Sequence, residues 1–294
     1  MNRVRKQIHY SRAEQEQLTG YHIGVGVLDS GIFPHEDLKD QIRAFRDFTN
    51  KYQLPYDETG HGTHVCGILA GNGRVLRGKY KGMAPYCDLY VGKILDKRGE
   101  GSLKTLLRGL EWLLSIAGSC HIRIINISVS SIVSARQEEQ RRLYDLFHHA
   151  YENNILIVTA AGNLGPGDNT ISRLGDTPYV ICVGCHDGDL DNGGLRCQDC
   201  SGRGPGENVW KKPDIVAPGT QIISCQAAYG KYVARSGTSM ATPIVSGLLA
   251  LAWEKYPYLN AMQLKRKLIV SATDLGESYL MQGAGMVDVE KMLS

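Results

Sequence analysis

Four short stretches of this 294-residue chain carry side chains suited to acyl-transfer chemistry. "HGTHVCG", residues 61–67, sets His61 and His64 three apart between glycines, just ahead of an apolar run. The pair alone is ambiguous, because metal sites, buried hydrogen-bonded histidines and catalytic bases all use imidazole. Metal chelation is the poorest fit, since the zinc-protease pattern places its histidines at i,i+4 with a Glu between them. Asp29 ends the strand-like run of "HIGVGVLDSG" (22–31), Asn163 follows "ILIVTAAG" (155–162), and Ser239 stands in "GTSMATP" (237–243), where a long apolar helix begins. Acyl transfer needs a hydroxyl nucleophile, an imidazole to take its proton, a carboxylate to hold the imidazole tautomer and a donor for the developing oxyanion. Taken singly, each residue has a plainer reading: Asp29 and Asn163 as turn residues, Ser239 as a helix N-cap. The small residues around them suit a site that a substrate backbone approaches closely.

The elements that must position these residues follow an α/β rhythm. Apolar runs of strand length alternate with helix-like patterns, which predicts a three-layer α/β/α fold with a mainly parallel central sheet. Strands are expected at 22–31, 87–95, 122–130, 155–163, 179–184 and around 212–219. Helices are expected after His61, at 102–118 and 134–154, from Ser239 onward, at 260–273 and at 287–294. In such sheets the working residues collect at the carboxyl ends of strands, where Asp29 and Asn163 fall. Glu138 and Arg142, at i,i+4, mark a solvated helix face. Residues 186–211 have no periodicity and read as an exposed surface loop. With no repeat or Pro/Ser-rich linker, one domain is expected over 21–294, preceded by an extension, 1–20, whose Ser11-x-x-Glu14 pattern reads as the capping box of a short surface helix.

Composition narrows the partners. A hydrophobic content of 43% supports a sizeable core. The net charge of +3 comes from 33 basic and 30 acidic residues mixed along the chain, without the basic stripe of a nucleic-acid binder. The longest apolar stretch, 244–253, is too short for a bilayer, so no membrane partner is expected. The first residues are basic but lack an apolar h-region, which points to the cytoplasm if Met1 is the natural start. In that reducing compartment the eight cysteines should be mostly free thiols.

"VLDSGI", "HGTHVCGILAG", "AAGN" and "GTSMATP" resemble, in order, the four signature segments of the subtilisin-like serine proteases. "MAP", "INISVS" and "KPDIVAPG" extend the similarity from about Tyr21 to about Val287. The resemblance implies a serine endopeptidase with Ser239 as nucleophile, His61 as general base, Asp29 as its orienting partner, and Asn163 with the Ser239 N–H as oxyanion hole. It makes His64 a structural neighbour. It implies a polypeptide substrate held as an extended strand between Gly99, Glu100, Gly101 and Ser128, Val129, Ser130. The S1 pocket would be walled by Ser128 to Ser130 with Ala160, Ala161 and Gly162, and Ser172 would lie near its base. A catalytically restrained, peptide-binding homologue is the rival reading, and its usual mark, a lost triad residue, is missing. An esterase or transacylase with the same triad is a second rival.

Departures from the family concern metals, cysteines and the amino terminus. The loop "NGRVLRGKYKG" (72–82) has four basic residues and no carboxylate, so the calcium site that the resemblance implies there is not expected. No cofactor is required; a weakly bound Ca or Na ion at Asp214, with carbonyls from 175–180, is the remaining candidate. Cys182-x₂-Cys185 and Cys197-x₂-Cys200 look like a zinc ribbon, but residues three apart on a strand face opposite sides, which makes zinc unlikely. Cys66 reads as core filler, and the sequon at Asn126 falls in a buried strand. Only about 20 residues precede the first strand, so the chain is expected to be a processed form, or an intracellular member that folds unaided or uses its first residues as a short inhibitory tail.

Overall fold

Runs such as "GVGVLD" and "VICVGC" are buried at every residue, which a strand achieves only when both faces of its sheet are covered. A computed structural model shows that arrangement and describes residues 1–50, 52–129, 132–133, 136–188, 196–205 and 210–294. The strands are β1 (Gly24–Asp29), β2 (Ile42–Asp47), β3 (Asp88–Lys93), β4 (Gly101–Ser102), β5 (Ile122–Ile127), β6 (Ile132–Val133), β7 (Leu156–Ala160), β8 (Val180–Cys185), β9 (Ile215–Ala217), β10 (Ile222–Cys225) and β11 (Tyr232–Arg235). The helices are α1 (Asn2–Gln7), α2 (Ser11–Gln15), α3 (His61–Ala70), α4 (Leu103–Ile116), α5 (Gln137–Glu152), α6 (Cys197–Cys200), α7 (Thr238–Lys255), α8 (Ala261–Val270), α9 (Tyr279–Gln282) and α10 (Val289–Met292).

Seven strands form one parallel sheet in the order β2-β3-β1-β5-β7-β8-β9. β10 and β11 make a separate antiparallel hairpin. The period of two divides each strand between two cores: Leu156 and Val158 enter the cluster that holds α3 and α7, while Ile157 enters the one beneath α4 and α5. The chain passes to one side of β1 for β2 and β3 and then to the other for β5, so β1 stands where the strand order reverses. Open α/β sheets bind ligands at such a point, outside the carboxyl ends of the strands.

The expected strands and helices are present, together with short elements that were not foreseen, among them the β10–β11 hairpin, and with four further differences. β2 was not foreseen, because "IRAFRD" is a half-exposed edge strand whose charged residues break the apolar signal. α2 begins at Ser11 itself with Tyr10 as N-cap and no side-chain cap bond, so the expected capping box does not form; Glu14 instead pairs with Arg5 at 3.1 Å. The first residues are no loose extension. Met1, Val4, Ile8, Tyr10 and Ala13 are buried in the main core, and the Ile8 carbonyl accepts from Val289 N–H of α10 at 2.8 Å. Arg3 donates to the Thr220 carbonyl, Arg5 to the Gly82 carbonyl at 2.6 Å and Gln7 to the Asp187 carbonyl at 2.5 Å. Arg3 and Gln7 thus fasten the first residues to Thr220 and Asp187, which border the Gly219–Gly237 contact ahead of Ser239.

The fourth difference is covalent. Cys185, at the end of β8, and Cys197, which opens α6, form a disulfide. The expectation of mostly free thiols therefore fails for this pair, and residues 196–205 of the 186–211 segment are no plain surface loop. Cys197, Ser201 and Gly202 are buried, and Ser201 Oγ accepts from Cys185 N–H at 2.9 Å. The expectation of a reducing compartment, not the spacing, set this pairing aside.

Candidate active site

Asp29 closes β1 in register with Lys93 of β3 and is fully buried. Its Oδ1 accepts from His61 Nδ1 at 2.7 Å and from Ser30 N–H at 2.7 Å. A carboxylate can only accept, so the bond assigns the proton to Nδ1 and leaves Nε2 as the basic nitrogen. The His61 side chain is 24% exposed, which leaves one edge of the ring open to a ligand.

His61 is the first residue of α3, and a carboxylate that sequence reasoning missed starts that helix. Asp57 Oδ1 accepts from Gly60 N–H at 2.9 Å and Ser30 Oγ–H at 2.8 Å. Its Oδ2 accepts from Thr63 N–H at 2.8 Å and Thr63 Oγ–H at 2.6 Å. First-turn amides have no intrahelical acceptor, and Asp57 supplies one while tying α3 to the turn after Asp29. Ser30 Oγ then accepts from Gly62 N–H at 2.9 Å. A Cβ on Gly62 would lie 2.1 Å from the Gly31 carbonyl, so only glycine lets the helix come this close. The signal available in sequence was a carboxylate shortly before the helix in "YDETGH".

Lys93 was also missed. It is wholly buried, its ammonium donates to the Ser30 and Leu95 carbonyls at 2.7 and 2.8 Å, and it pairs with Glu58 at 2.8 Å. A buried ammonium needs such partners, and here they fix the backbone on both sides of the Asp29 strand end. Its trace in the sequence is one Lys in the otherwise apolar "LYVGKIL".

Ser239 is the second residue of α7, whose N-cap is Gly237, so its hydroxyl is not spent as the cap that the plain reading gave it. Its N–H is one of the first-turn donors without an intrahelical acceptor. Asn163 stands beside it, with Oδ1 accepting from Thr238 N–H and Thr238 Oγ–H, both at 3.1 Å. Anchoring the amide oxygen turns the Asn163 NH₂ into the free donor end. Pro243 lies five residues beyond the start of α7, where its missing N–H leaves the Ser239 carbonyl without its usual i+4 donor. Because α3 packs on α7, the amino-terminal turns that carry His61 and Ser239 share one end of the sheet.

Electrostatics separate the two histidines. Burial pulls the His61 pKa down, but the charge and hydrogen bond of Asp29 outweigh it and the net shift is upward, with Arg235 opposing and Asp57 adding. His64 is lowered to about 3, first by burial and then against its backbone hydrogen bonds. Its Nε2 donates to the Ile222 and Val233 carbonyls at 3.0 and 3.1 Å, which ties α3 to the β10–β11 hairpin. That is the structural role expected of it. Cys66 is buried and its thiol is pushed far up by desolvation, then by Asp29 and Asp57, which suits core filler.

The residues expected to bind substrate are partly gathered. Ser128, Val129, Ala160, Ala161 and Gly162 are buried along the ends of β5 and β7. Ser172 closes this wall, its hydroxyl donating to the Ala160 carbonyl at 2.6 Å and its N–H to the Ala161 carbonyl at 2.7 Å. Ser130 lies outside the described residues. Gly99 to Gly101 form a self-satisfied turn: the Glu100 N–H goes to Asp96 Oδ1 at 3.0 Å, and its carbonyl accepts from Asp96 N–H at 2.9 Å. Gly101 bridges Leu95 and pairs with Ile132. This rim therefore has fewer free backbone groups than a bare strand edge.

The Asp214 cation site does not fit the structure. Asp214 Oδ2 accepts from Lys212 Nζ at 2.6 Å and Cys182 N–H at 2.7 Å, and Oδ1 lies 3.9 Å from Lys265 Nζ. Two ammonium groups already neutralise the carboxylate that a cation would need. Cys182, next to it, has a thiol raised to about 12 by burial. One other cluster of ligand-type atoms exists among the described residues: His35, Asp37 and Cys225, within 4.8 Å of one another. His35 bonds Asp37 N–H and the Lys231 carbonyl, each at 3.1 Å, and Asp37 accepts from Val75 N–H at 2.9 Å and Tyr232 O–H at 2.6 Å. These donors and acceptors are engaged in holding the fold.

Residues 20–287 match the model of the Subtilase family, peptidase S8. The chain belongs to the subtilase family. It is 35% identical to Serine protease AprX of Bacillus subtilis (strain 168), over 94% of this chain and 67% of that protein. It is 32% identical to Subtilisin DY of Bacillus licheniformis, over 95% of this chain and 94% of that one. Among solved structures it resembles Sphericase, with a TM-score of 0.79 and 31% identity over 92% of each chain. It also resembles the S41 Psychrophilic Protease, with a TM-score of 0.81 and 29% identity over 92% of each. The chain is thus a subtilisin-like serine endopeptidase with the three-layer fold of its relatives.

Proposed function

We propose that this subtilase cleaves peptide bonds through an acyl-enzyme formed on Ser239. His61 Nε2 takes the Ser239 hydroxyl proton as Oγ attacks the scissile carbonyl, while Asp29 holds the Nδ1–H and stabilises the imidazolium. The Asn163 NH₂ and the Ser239 N–H bind the oxyanion. His61 then gives the proton to the leaving amine, and a second round with water releases the acyl group. The substrate lies extended past Ser128, Val129 and the Ala160–Gly162 wall, so main-chain contacts give affinity and the pocket above Ser172 gives selectivity. Every proton transfer in this sequence is made by the chain's own residues. The 2.7 Å bond between buried Asp29 and His61 Nδ1 carries the reading, because it sets the tautomer that general-base catalysis requires.

The test is labelling with a fluorophosphonate, read by intact mass and peptide mapping in the wild type and in Ser239→Ala. One adduct on Ser239, absent from the variant, is expected. A folded, full-length chain that takes no label would transfer the assignment to the peptide-binding alternative.

A further inference from the structure

The wall of the site beside His61 carries a cation that the mechanism above leaves unused. Arg235 ends β11, four residues ahead of Ser239, and reaches over to the loop that delivers His61. One of its Nη atoms donates to the Thr59 carbonyl at 2.9 Å and lies 3.5 Å from where a Cβ on Gly60 would stand. Nε is buried and has no hydrogen-bond partner among the described residues, although the residue as a whole is half-buried. No carboxylate among the described residues pairs with this guanidinium, whereas Asp29 is occupied by His61 and Asp57 by the α3 cap. A partly desolvated guanidinium with spare donors presents a planar fork suited to a carboxylate.

Its position says which part of a substrate it meets. The acyl half of the peptide is placed by Ser128, Val129 and the Ala160–Gly162 wall. The imidazole delivers a proton to the departing amine, so groups bordering His61 away from that wall border the leaving half. Thr59, Gly60 and Arg235 are such groups.

We propose that Arg235 is a specificity residue for the leaving half of the substrate, binding the carboxylate of an Asp or Glu side chain within the first residues after the scissile bond. The inference rests on the endopeptidase reading given above. The same cation has a second effect on the chemistry. The charged and titratable groups that face His61 are Asp29 on β1, Asp57 ahead of α3, His64 on α3 and Arg235 on β11. Arg235 alone among them is a permanent cation, and an acidic substrate side chain seated on it would offset the field it imposes on the imidazolium.

The experiment uses internally quenched peptides that differ only in carrying Asp, Ala or Lys at the first or second position after the scissile bond. All have amidated C termini, so that only a side-chain carboxylate is offered; one further peptide with a free C terminus near the bond reports a terminal carboxylate. The wild type is compared with Arg235→Gln and Arg235→Glu, and each rate is divided by the fraction of Ser239 that takes a fluorophosphonate, which removes misfolded enzyme from the comparison. A half-exposed charge pair predicts a preference for Asp over Ala of about fivefold in kcat/KM at low salt. That preference should shrink in high salt, where the Debye length falls to about 3 Å. Arg235→Gln should abolish it and Arg235→Glu should turn it toward Lys. In Arg235→Gln the acid limb of the rate profile should also move to higher pH. Equal Asp-to-Lys ratios in all three proteins would overturn the proposal, as would a gain confined to the free C terminus. Failure of the wild type to take label or cleave any peptide would instead defeat the acyl-enzyme reading, and this inference with it.

Discussion

At the Asp29–His61 end of the site the fixing contacts are side-chain carboxylates, hydroxyls and a buried ammonium, whereas at the Ser239–Asn163 end they are largely backbone amides and a disulfide. Asp57, Ser30 and Lys93 lock the turn after β1 against the first turn of α3. On the other side, Gly237 N–H donates to the Gly219 carbonyl at 3.0 Å, and Gly219 N–H to Asp187 Oδ1 at 3.2 Å. The Cys185–Cys197 disulfide packs against the same glycine, so closely that a Cβ there would lie 2.4 Å from Cys185 Sγ. The division follows the chemistry. In the mechanism proposed above, one end manages a proton and a charged imidazole, and it is built from groups whose charge matters. The other presents N–H groups at a fixed point, and it is built mainly from main chain held in place.

Predictions follow this division, beginning with the largest effect. Asp29→Asn should keep the fold but release the Nδ1–H tautomer, lowering kcat about 10⁴-fold, the size of loss seen for the matching change in trypsin. A loss under tenfold would show that the carboxylate does not orient His61. Asn163→Ala should lower kcat by about 10²–10³ with KM little changed, the range measured for the oxyanion-hole amide of subtilisin. A rise in KM at constant kcat would make the amide a ground-state binding group instead. Asp57→Asn and Cys185→Ser can then be compared directly. Each should cost roughly 1–3 kcal/mol in denaturant unfolding, the first through lost charged acceptors and the second through lost loop closure. Only Asp57→Asn should also move the acid limb of the kcat/KM profile, to lower pH, because it removes a negative charge that favours the imidazolium. If Cys185→Ser moves the limb equally, the two ends are not separate.

The smallest effect is the acid limb of the wild type. In the proposed mechanism catalysis needs neutral His61, so activity falls as pH drops through its pKa, and, against the pull of burial, Asp29 holds that pKa above the ordinary imidazole value of 6.5. The midpoint should therefore lie above 6.5 on the kcat/KM profile. His64 contributes to stability with its own sign: its pKa is lowered to about 3, so the folded form resists a proton that the unfolded chain takes up below 6.5, and stability should decline from there toward pH 3.

How much of this was legible depends on where each residue's role is encoded. Asp29, His61, Asn163 and Ser239 stand at ends of strongly periodic runs, so sequence could place them at one edge of the sheet. Asp57 could not be read the same way, since tying α3 to the turn after Asp29 depends on Ser30, 27 residues away, which meets it only in the fold. Lys93 was invisible for a related reason, because a lone Lys on an apolar strand does not announce which carbonyls surround it. β2 escaped because an edge strand needs to bury little of either face. The disulfide escaped because the two Cys-x₂-Cys motifs read as a zinc ribbon or as free thiols of a reducing compartment, whereas the fold brings one cysteine of each motif together.

The knitting of the first residues into the last helices bears on how this chain reaches its native state. His9 Nδ1 meets Asp288 Oδ2 at 3.0 Å across a sequence separation of 279, and Ile8 joins Val289 beside it. Contacts this distant in sequence slow folding, because loop-closure entropy must be overcome before they form. During synthesis the Ile8 carbonyl and His9 lack these partners until α10 has been made. The seam between α1–α2 and α10 therefore closes late in assembly, after the strands between them have been made.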